Sequence, residues 1–206
     1  MKNRHIFNRS FAFGISIKAL IASAIIATFP AVAIAGPSLG LGYSDIGLSG
    51  HSGRPGVTLT AGNLYSNNVV ATGAATLASN YYGFHADLGK LIPTGIAGTS
   101  FTPYASLGFL NLNYQQAQFT PSTEDVYALA GADLNVPIGQ NIALLLGGGY
   151  GHTVTTFGGT GGAVYKGKAE IGFEVAPHVT ANINVRYLHV PGQSVTTEGA
   201  GLAYQF

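Results

Sequence analysis

The stretch Tyr165-Lys166-Gly167-Lys168-Ala169-Glu170-Ile171-Gly172-Phe173-Glu174-Val175-Ala176-Pro177-His178 decides how the rest of the chain is read. Tyr165, Ala169, Ile171, Phe173 and Val175 share one parity, and Lys166, Lys168, Glu170 and Glu174 share the other. A two-residue period belongs to a β-strand, whose successive side chains point to opposite faces, so this segment has one apolar and one charged face. Ala176-Pro177-His178 then makes a tight turn, and Ala181, Ile183, Val185 and Tyr187 alternate with Asn182, Asn184 and Arg186. The two segments read as a hairpin of uniform polarity.

The same pattern recurs upstream. Val126, Ala128, Ala130, Ala132, Leu134 and Val136 alternate with Tyr127, Gly131, Asp133 and Asn135, and a turn over 137–141 leads to Ile142, Leu144, Leu146 and Tyr150. Before it, Tyr82, Phe84, Ala86 and Leu88 alternate with Gly83, His85, Asp87 and Gly89. A turn over 93–99 leads into a strand running to about Tyr114, whose apolar set changes parity at Phe109-Leu110. One inserted residue flips every later side chain, so a β-bulge is expected there. Seven strands follow from this count: 80–92, 100–115, 124–137, 141–154, 163–176, 179–190 and 195–206.

Composition narrows the class. Of 206 residues, 47% are hydrophobic, only 8% are charged and 30 are glycine, which is a poor match to a soluble α/β enzyme. Cysteine is absent, which excludes disulfides, thiolate metal sites and cysteine nucleophiles. Residues 1–35 read as a cleaved secretory leader: Lys2, Arg4, Arg9 and Lys18 precede an apolar run over 19–29, and Ala33-Ile34-Ala35 has the small-x-small form of a cleavage site. The run falls short of the roughly 20 apolar residues of a membrane helix. The remaining domain, 36–206, keeps Arg54, Lys90, Lys166, Lys168 and Arg186 against eight acids, a net charge of −3. Five scattered cations form no basic face, so nucleic acid is not an expected partner.

The chain ends Gly199-Ala200-Gly201-Leu202-Ala203-Tyr204-Gln205-Phe206, with Leu202, Tyr204 and Phe206 on one face. This resembles the C-terminal strand of bacterial outer-membrane β-barrel proteins, which implies recognition by the barrel assembly machinery during insertion. With a leader and alternating segments of about ten residues, it points to an all-β, closed antiparallel up-and-down transmembrane barrel in the outer membrane of a Gram-negative bacterium. In a bilayer, strands pair every backbone group only by closing on themselves. Both termini on the periplasmic side require an even strand count. Leu39, Leu41 and Tyr43, then 57–65, then the Ala/Thr-rich 69–78, are three further candidates. Accepting one gives eight strands, the expectation on the usual size of such barrels; accepting all three gives ten, the alternative. The turns over 137–141 and 176–178 are expected in the periplasm, and the loops over 157–162 and 189–194 outside.

The inward charges are the most informative set. His85, Asp87, Asp133, Lys166, Lys168, Glu170, Glu174, Asn182, Asn184 and Arg186 are expected to form a polar lumen network, because unpaired buried ions cost several kcal/mol each. Tyr43, Tyr82, Phe84, Tyr150, Tyr165, Tyr187, Tyr204 and Phe206 are the expected interfacial girdles. Lipids and lipopolysaccharide are the expected surroundings, and a monomer the expected state, with the oligomer left open.

Two narrower resemblances bear on activity. Ala132-Asp133-Leu134-Asn135-Val136-Pro137-Ile138-Gly139 and Val185-Arg186-Tyr187 resemble YfaZ-type barrels, which brings no activity to transfer. Val185-Arg186-Tyr187-Leu188-His189-Val190-Pro191-Gly192 resembles the Val-Arg-x-x-His-x-Ser-Asn pattern of outer-membrane lipid A deacylases. His189 falls in place, but Pro191 stands where the nucleophilic serine belongs and offers no hydroxyl. Ser194 is the nearest substitute, three residues further round a turn. His189 shares parity with Tyr187, which favours a plain outer-interface residue. Gly36-Pro37-Ser38-Leu39-Gly40 spells a nucleophile elbow without the helix that an elbow needs. The Gly158 to Gly162 run lacks the Lys-Ser/Thr pair of a phosphate loop. His51, His85, His152, His178 and His189 have no metal-like spacing. No catalytic residue, metal or cofactor is therefore expected, and the reading is a non-enzymatic barrel with a plugged lumen. The alternatives are a narrow pore for ions or small solutes, and a lipid A-modifying enzyme using His189.

Overall fold

A computed structural model of the chain describes residues 36–48, 53–79, 81–113 and 122–206. The expected leader over 1–35, and His51, lie outside the described residues. Every described element is a strand: β1 (Gly36–Leu48), β2 (Arg54–Leu64), β3 (Val69–Ala78), β4 (Tyr81–Lys90), the two-residue β5 (Ile92–Pro93), β6 (Ser100–Asn113), β7 (Ser122–Pro137), β8 (Ile142–Phe157), β9 (Ala163–Ala176), β10 (Val179–Val190) and β11 (Gln193–Gln205). Neighbours in sequence pair antiparallel, β1 pairs with β11, and β4 pairs with β6, so the sheet closes. β5 is a short continuation beside β6. The ring therefore has ten strands.

Ten corrects the expected eight. The Ala/Thr-rich β3 has no aromatic of its own, yet it holds unbroken register with β2 from Gly56↔Ala78 to Leu64↔Val70 and with β4 from Val69↔Lys90 to Ala78↔Tyr81. Strand pairing is a backbone matter, and small side chains do not obstruct it. Inside, hydroxyls join the three N-terminal strands: Ser44 Oγ lies 2.6 Å from Thr58 Oγ1, which lies 2.9 Å from Thr76 Oγ1. Threonine thus marks the inner face here, where the later strands use charge.

The expected bulge at Phe109-Leu110 is also corrected. β6 pairs without a shift, through Phe109↔Val126 and Leu110↔Asp125 on one side and Phe84↔Phe109 and Gly83↔Leu110 on the other. The parity does not change; the chemistry of the interior does. Leu110 and Leu112 face inward with Ile46, Leu48, Tyr81, Tyr127, Leu129, Val164, Val190 and Val195, in an apolar cluster inside the barrel at the end away from the termini. Register shifts occur instead at Val126/Tyr127 between β7 and β8, and at Val179/Thr180 between β9 and β10.

The end that bears Gly36 and Phe206 also holds the turns over 65–68, 138–141 and 177–178. His178 adopts a left-handed φ of 65°, which closes its hairpin in two residues. The 158–162 and 191–192 connections lie at the opposite end.

Candidate functional site

The charged residues meet at mid-height inside the barrel. β9 supplies Lys166, Lys168 and Glu170 at alternate, inward positions, β10 supplies Asn182, Asn184 and Arg186, and β4 and β7 supply His85, Asp87 and Asp133. Lys166 Nζ donates to Asp87 Oδ2 at 3.0 Å and to Oδ1 at 3.2 Å, spanning the lumen between two strands that are not neighbours. Lys168 Nζ lies 2.7 Å from Asp133 Oδ2. That bridge crosses β8 at Gly147, the register partner of both residues. A Cβ there would stand 2.1 Å from Asp133 Oδ1 and 2.8 Å from Lys168 Cε, so the close approach needs glycine.

The third pair is Arg186 Nη2 with Glu170 Oε2 at 3.8 Å, and Asn182 Nδ2 also donates to Glu170 Oε1. His85 Nε2 stands 3.9 Å from Asp87 Oδ2. Three cations thus face three carboxylates, so the belt is close to neutral and each buried ion has a counter-ion. Tyr104 of β6 adds to it: its ring centroid lies 5.3 Å from Lys166 Nζ and 5.7 Å from Lys168 Nζ. Such cation–π contacts contribute about 0.5–2 kcal/mol.

Of the ten expected lumen residues, nine face inward in this way. Glu174 does not join them: it is exposed at the rim beside the 138–141 turn, where its backbone N–H donates to the Asn141 carbonyl at 2.9 Å. It keeps the inward parity, opposite Thr180, and the register shift at Val179/Thr180 falls only after it; its place at the open end of the strand, beyond the ion pairs, is what leaves it in solvent. Between the ion pairs and the terminal end lies a cavity of about 140 Å³, walled by Ser38, Thr60, Thr72, Ser100, Thr102 and Gln205.

The sequence reading missed the apolar cluster above the belt, and missed Tyr104 beneath the lysines. A signal was present: Leu188 and Val190 share parity with Asn182, Asn184 and Arg186, so an inward apolar end of β10 was legible. Among the described residues no cluster of His, Asp and Glu is arranged to hold a metal ion.

The outer face carries the expected aromatics. Tyr43, Tyr82, Phe84, Tyr150, Tyr165, Tyr187, Tyr204 and Phe206 are all exposed and outward. Tyr150 and Tyr165 have ring centroids 5.3 Å apart, and Tyr204 and Phe206 meet edge-on at 5.1 Å. Leu202 shares the outward face with Tyr204 and Phe206, and the Phe206 N–H donates to the Pro37 carbonyl at 3.0 Å where the ring closes. His189 also lies on the outer face, with the Ser194 hydroxyl 2.9 Å from its Nδ1.

No protein-family model matches the chain, and no curated protein does. Among solved structures it is similar to the translocator domain of the autotransporter NalP from Neisseria meningitidis, with 11% identity and a TM-score of 0.44 over 85% of this chain and 90% of that one. It is similar to the KdgM porin, with 12% identity and a TM-score of 0.43 over 82% and 99%. A third is Ail, the attachment invasion locus protein of Yersinia pestis, with 14% identity and a TM-score of 0.37 over 84% and 100%. At these values the likenesses assign no family, solute or partner to the chain.

Proposed function

We propose that the protein is an integral outer-membrane barrel closed to through-flow, in which the lumen network serves the stability of the wall. An outward apolar set including Leu39, Leu59, Phe84, Leu88, Leu107 and Ile183 would be costly in water and is suited to lipid. The four-residue and two-residue turns then lie in the periplasm with the termini, and the opposite rim faces outside. Leu202, Tyr204 and Phe206 are the strand that the assembly machinery would read.

The observation that carries the reading is the apolar cluster inside. Ile46, Tyr81, Leu110, Tyr127, Val164, Val190 and Val195 come from seven different strands, and Leu110, Val164 and Val190 are 0% exposed. Side chains converging from so much of the ring support closure, with the ion-pair belt as the floor of a periplasmic cup and not the wall of a channel. The YfaZ-type resemblance of 132–139 and 185–187 brings no activity that would alter this.

Conductance of the refolded chain in a planar bilayer tests the proposal. The wild-type barrel is expected to be silent, and the double variant Leu110→Ser/Leu112→Ser to conduct. Steady wild-type channels whose conductance changes in Glu170→Gln would refute closure and establish a narrow pore.

A further inference from the structure

Asp125 takes no part in the ion-pair belt, and an apolar plug has no use for a carboxyl group. It is the fourth residue of β7, at the end away from the termini, and shares its inward parity with Tyr127 and Leu129 of the interior cluster. Its side chain is 1% exposed, and neither carboxylate oxygen has a hydrogen-bond partner among the described residues. Leu110 stands opposite it on β6 and Thr156 on β8. Thr156 interacts with the carboxyl, yet its hydroxyl stops short of hydrogen-bond distance and is itself buried without a partner.

No counter-ion answers this charge among the described residues. β6, β8 and the 158–162 connection carry no Lys, Arg, Asp or Glu. The lumen cations Lys166, Lys168 and Arg186 are held at mid-height by Asp87, Asp133 and Glu170. A lone carboxylate in apolar surroundings is strongly disfavoured, and buried carboxylates that persist are paired or bind a metal ion. The 158–162 connection folds over the same place. A Cβ on Gly159 would stand 3.3 Å from both Thr123 Cγ2 and Thr156 Cγ2, and one on Gly161 3.7 Å from Thr156 Oγ1. Four of its five residues are glycine, so its backbone can approach the two side chains closely.

We propose that Asp125 and Thr156 hold a dehydrated alkali-metal cation, Na+ or K+, beneath the 158–162 connection. The donors are a carboxylate and a hydroxyl, with backbone carbonyls of the connection to complete the shell, and an all-oxygen set selects a hard cation. Charge then selects the valence. One carboxylate neutralises one monovalent ion, whereas a divalent ion would leave a net positive charge among Leu110, Leu112 and Tyr127. The ion ties β7, β8 and their connection together at the rim of the plug. Residues 158–161 are exposed, so it enters from the solution at that end without crossing the barrel.

The test is urea unfolding of the full chain in vesicles, followed by far-UV circular dichroism, in NaCl, KCl, CaCl2 or choline chloride at matched ionic strength. Choline is too large for the site and reports the empty state. At tenfold excess over its dissociation constant, Na+ or K+ should raise the folded-to-unfolded ratio about tenfold, a midpoint about 0.5–1 M urea above that in choline. Asp125→Asn should lose the response, and in choline it should unfold at a higher urea concentration than the wild type, because no charge is then left unpaired. Thr156→Val should still respond but need about tenfold more salt. Heat-modifiable gel mobility reports that each variant is folded. Equal wild-type midpoints in choline and in both alkali salts, as a proton in the site would give, overturn the proposal. So does an Asp125→Asn barrel that responds like the wild type, or a response to Ca2+ alone.

Discussion

Gly108 faces the lumen on β6, directly opposite Tyr127 of β7. A Cβ at Gly108 would stand 2.2 Å from Tyr127 Cζ, 2.4 Å from its hydroxyl oxygen and 2.6 Å from Cε2. Carbon atoms settle at about 3.5–4.0 Å, so Gly108→Ala requires the ring to move by more than about 1 Å. It has little room, because Tyr127 is 3% exposed and packed in the interior cluster with Leu110 and Leu129. Overpacking of this kind costs about 1–3 kcal/mol, offset by about 0.5–1 kcal/mol that alanine gains over glycine in a strand. A net loss of about 1–2 kcal/mol is expected. Gly73→Ala is the control, since it lies on the outer face with its nearest neighbour, the His85 carbonyl oxygen, at 3.4 Å, and it should be neutral or mildly stabilising. The chain has no tryptophan, so urea unfolding in lipid vesicles is followed by far-UV circular dichroism. The double variant Gly108→Ala/Tyr127→Ala should be less destabilised than the sum of its parts, by at least about 0.5 kcal/mol, because the clash partner is gone. A Gly108→Ala barrel within about 0.5 kcal/mol of Gly73→Ala would refute the packing argument.

Other substitutions separate the two faces. Ile171 points outward at mid-strand between Leu144 and Ile183, and Ile171→Arg should cost about 2–4 kcal/mol in an insertion assay, whereas the lumen change Asn184→Ser should be mild. Equal effects would reverse the assigned facing. Glu170 is 2% exposed and receives both Asn182 and Arg186, so Glu170→Gln leaves the half-buried guanidinium without its carboxylate and should lower unfolding free energy by about 2 kcal/mol. A loss below about 1 kcal/mol would mean that water in the cup already solvates Arg186.

The chain by itself determined that it builds two-faced antiparallel strands. Alternation in 165–175 and 181–187 assigned Lys166, Lys168, Glu170 and Arg186 to one face and Ile171, Ile183 and Tyr187 to the other, because a period of two is a local property of extended backbone. It also separated the outward aromatics from the inward charges. What it did not determine was which strands join the ring and which charges meet. The Ala/Thr-rich β3 has too little hydrophobic contrast to announce itself, and it is held by its pairing with β2 and β4. An apolar residue carries no mark of which apolar environment it enters, so the inward Leu110 and Leu112 looked like a slip in register and not like a packed interior. The partners Lys166 and Asp87 are 79 residues apart, and Lys168 reaches Asp133 over Gly147. Pairing of the consecutive strands β7, β8 and β9 sets Lys168 beside Asp133, but only closure of the ten-stranded ring brings Lys166 to Asp87, because distance across a lumen is fixed by the number and stagger of strands. The Ser194 contact with His189 was within reach of the sequence only through its turn: Pro191-Gly192 closes a two-residue hairpin, and that register places the two side chains opposite each other.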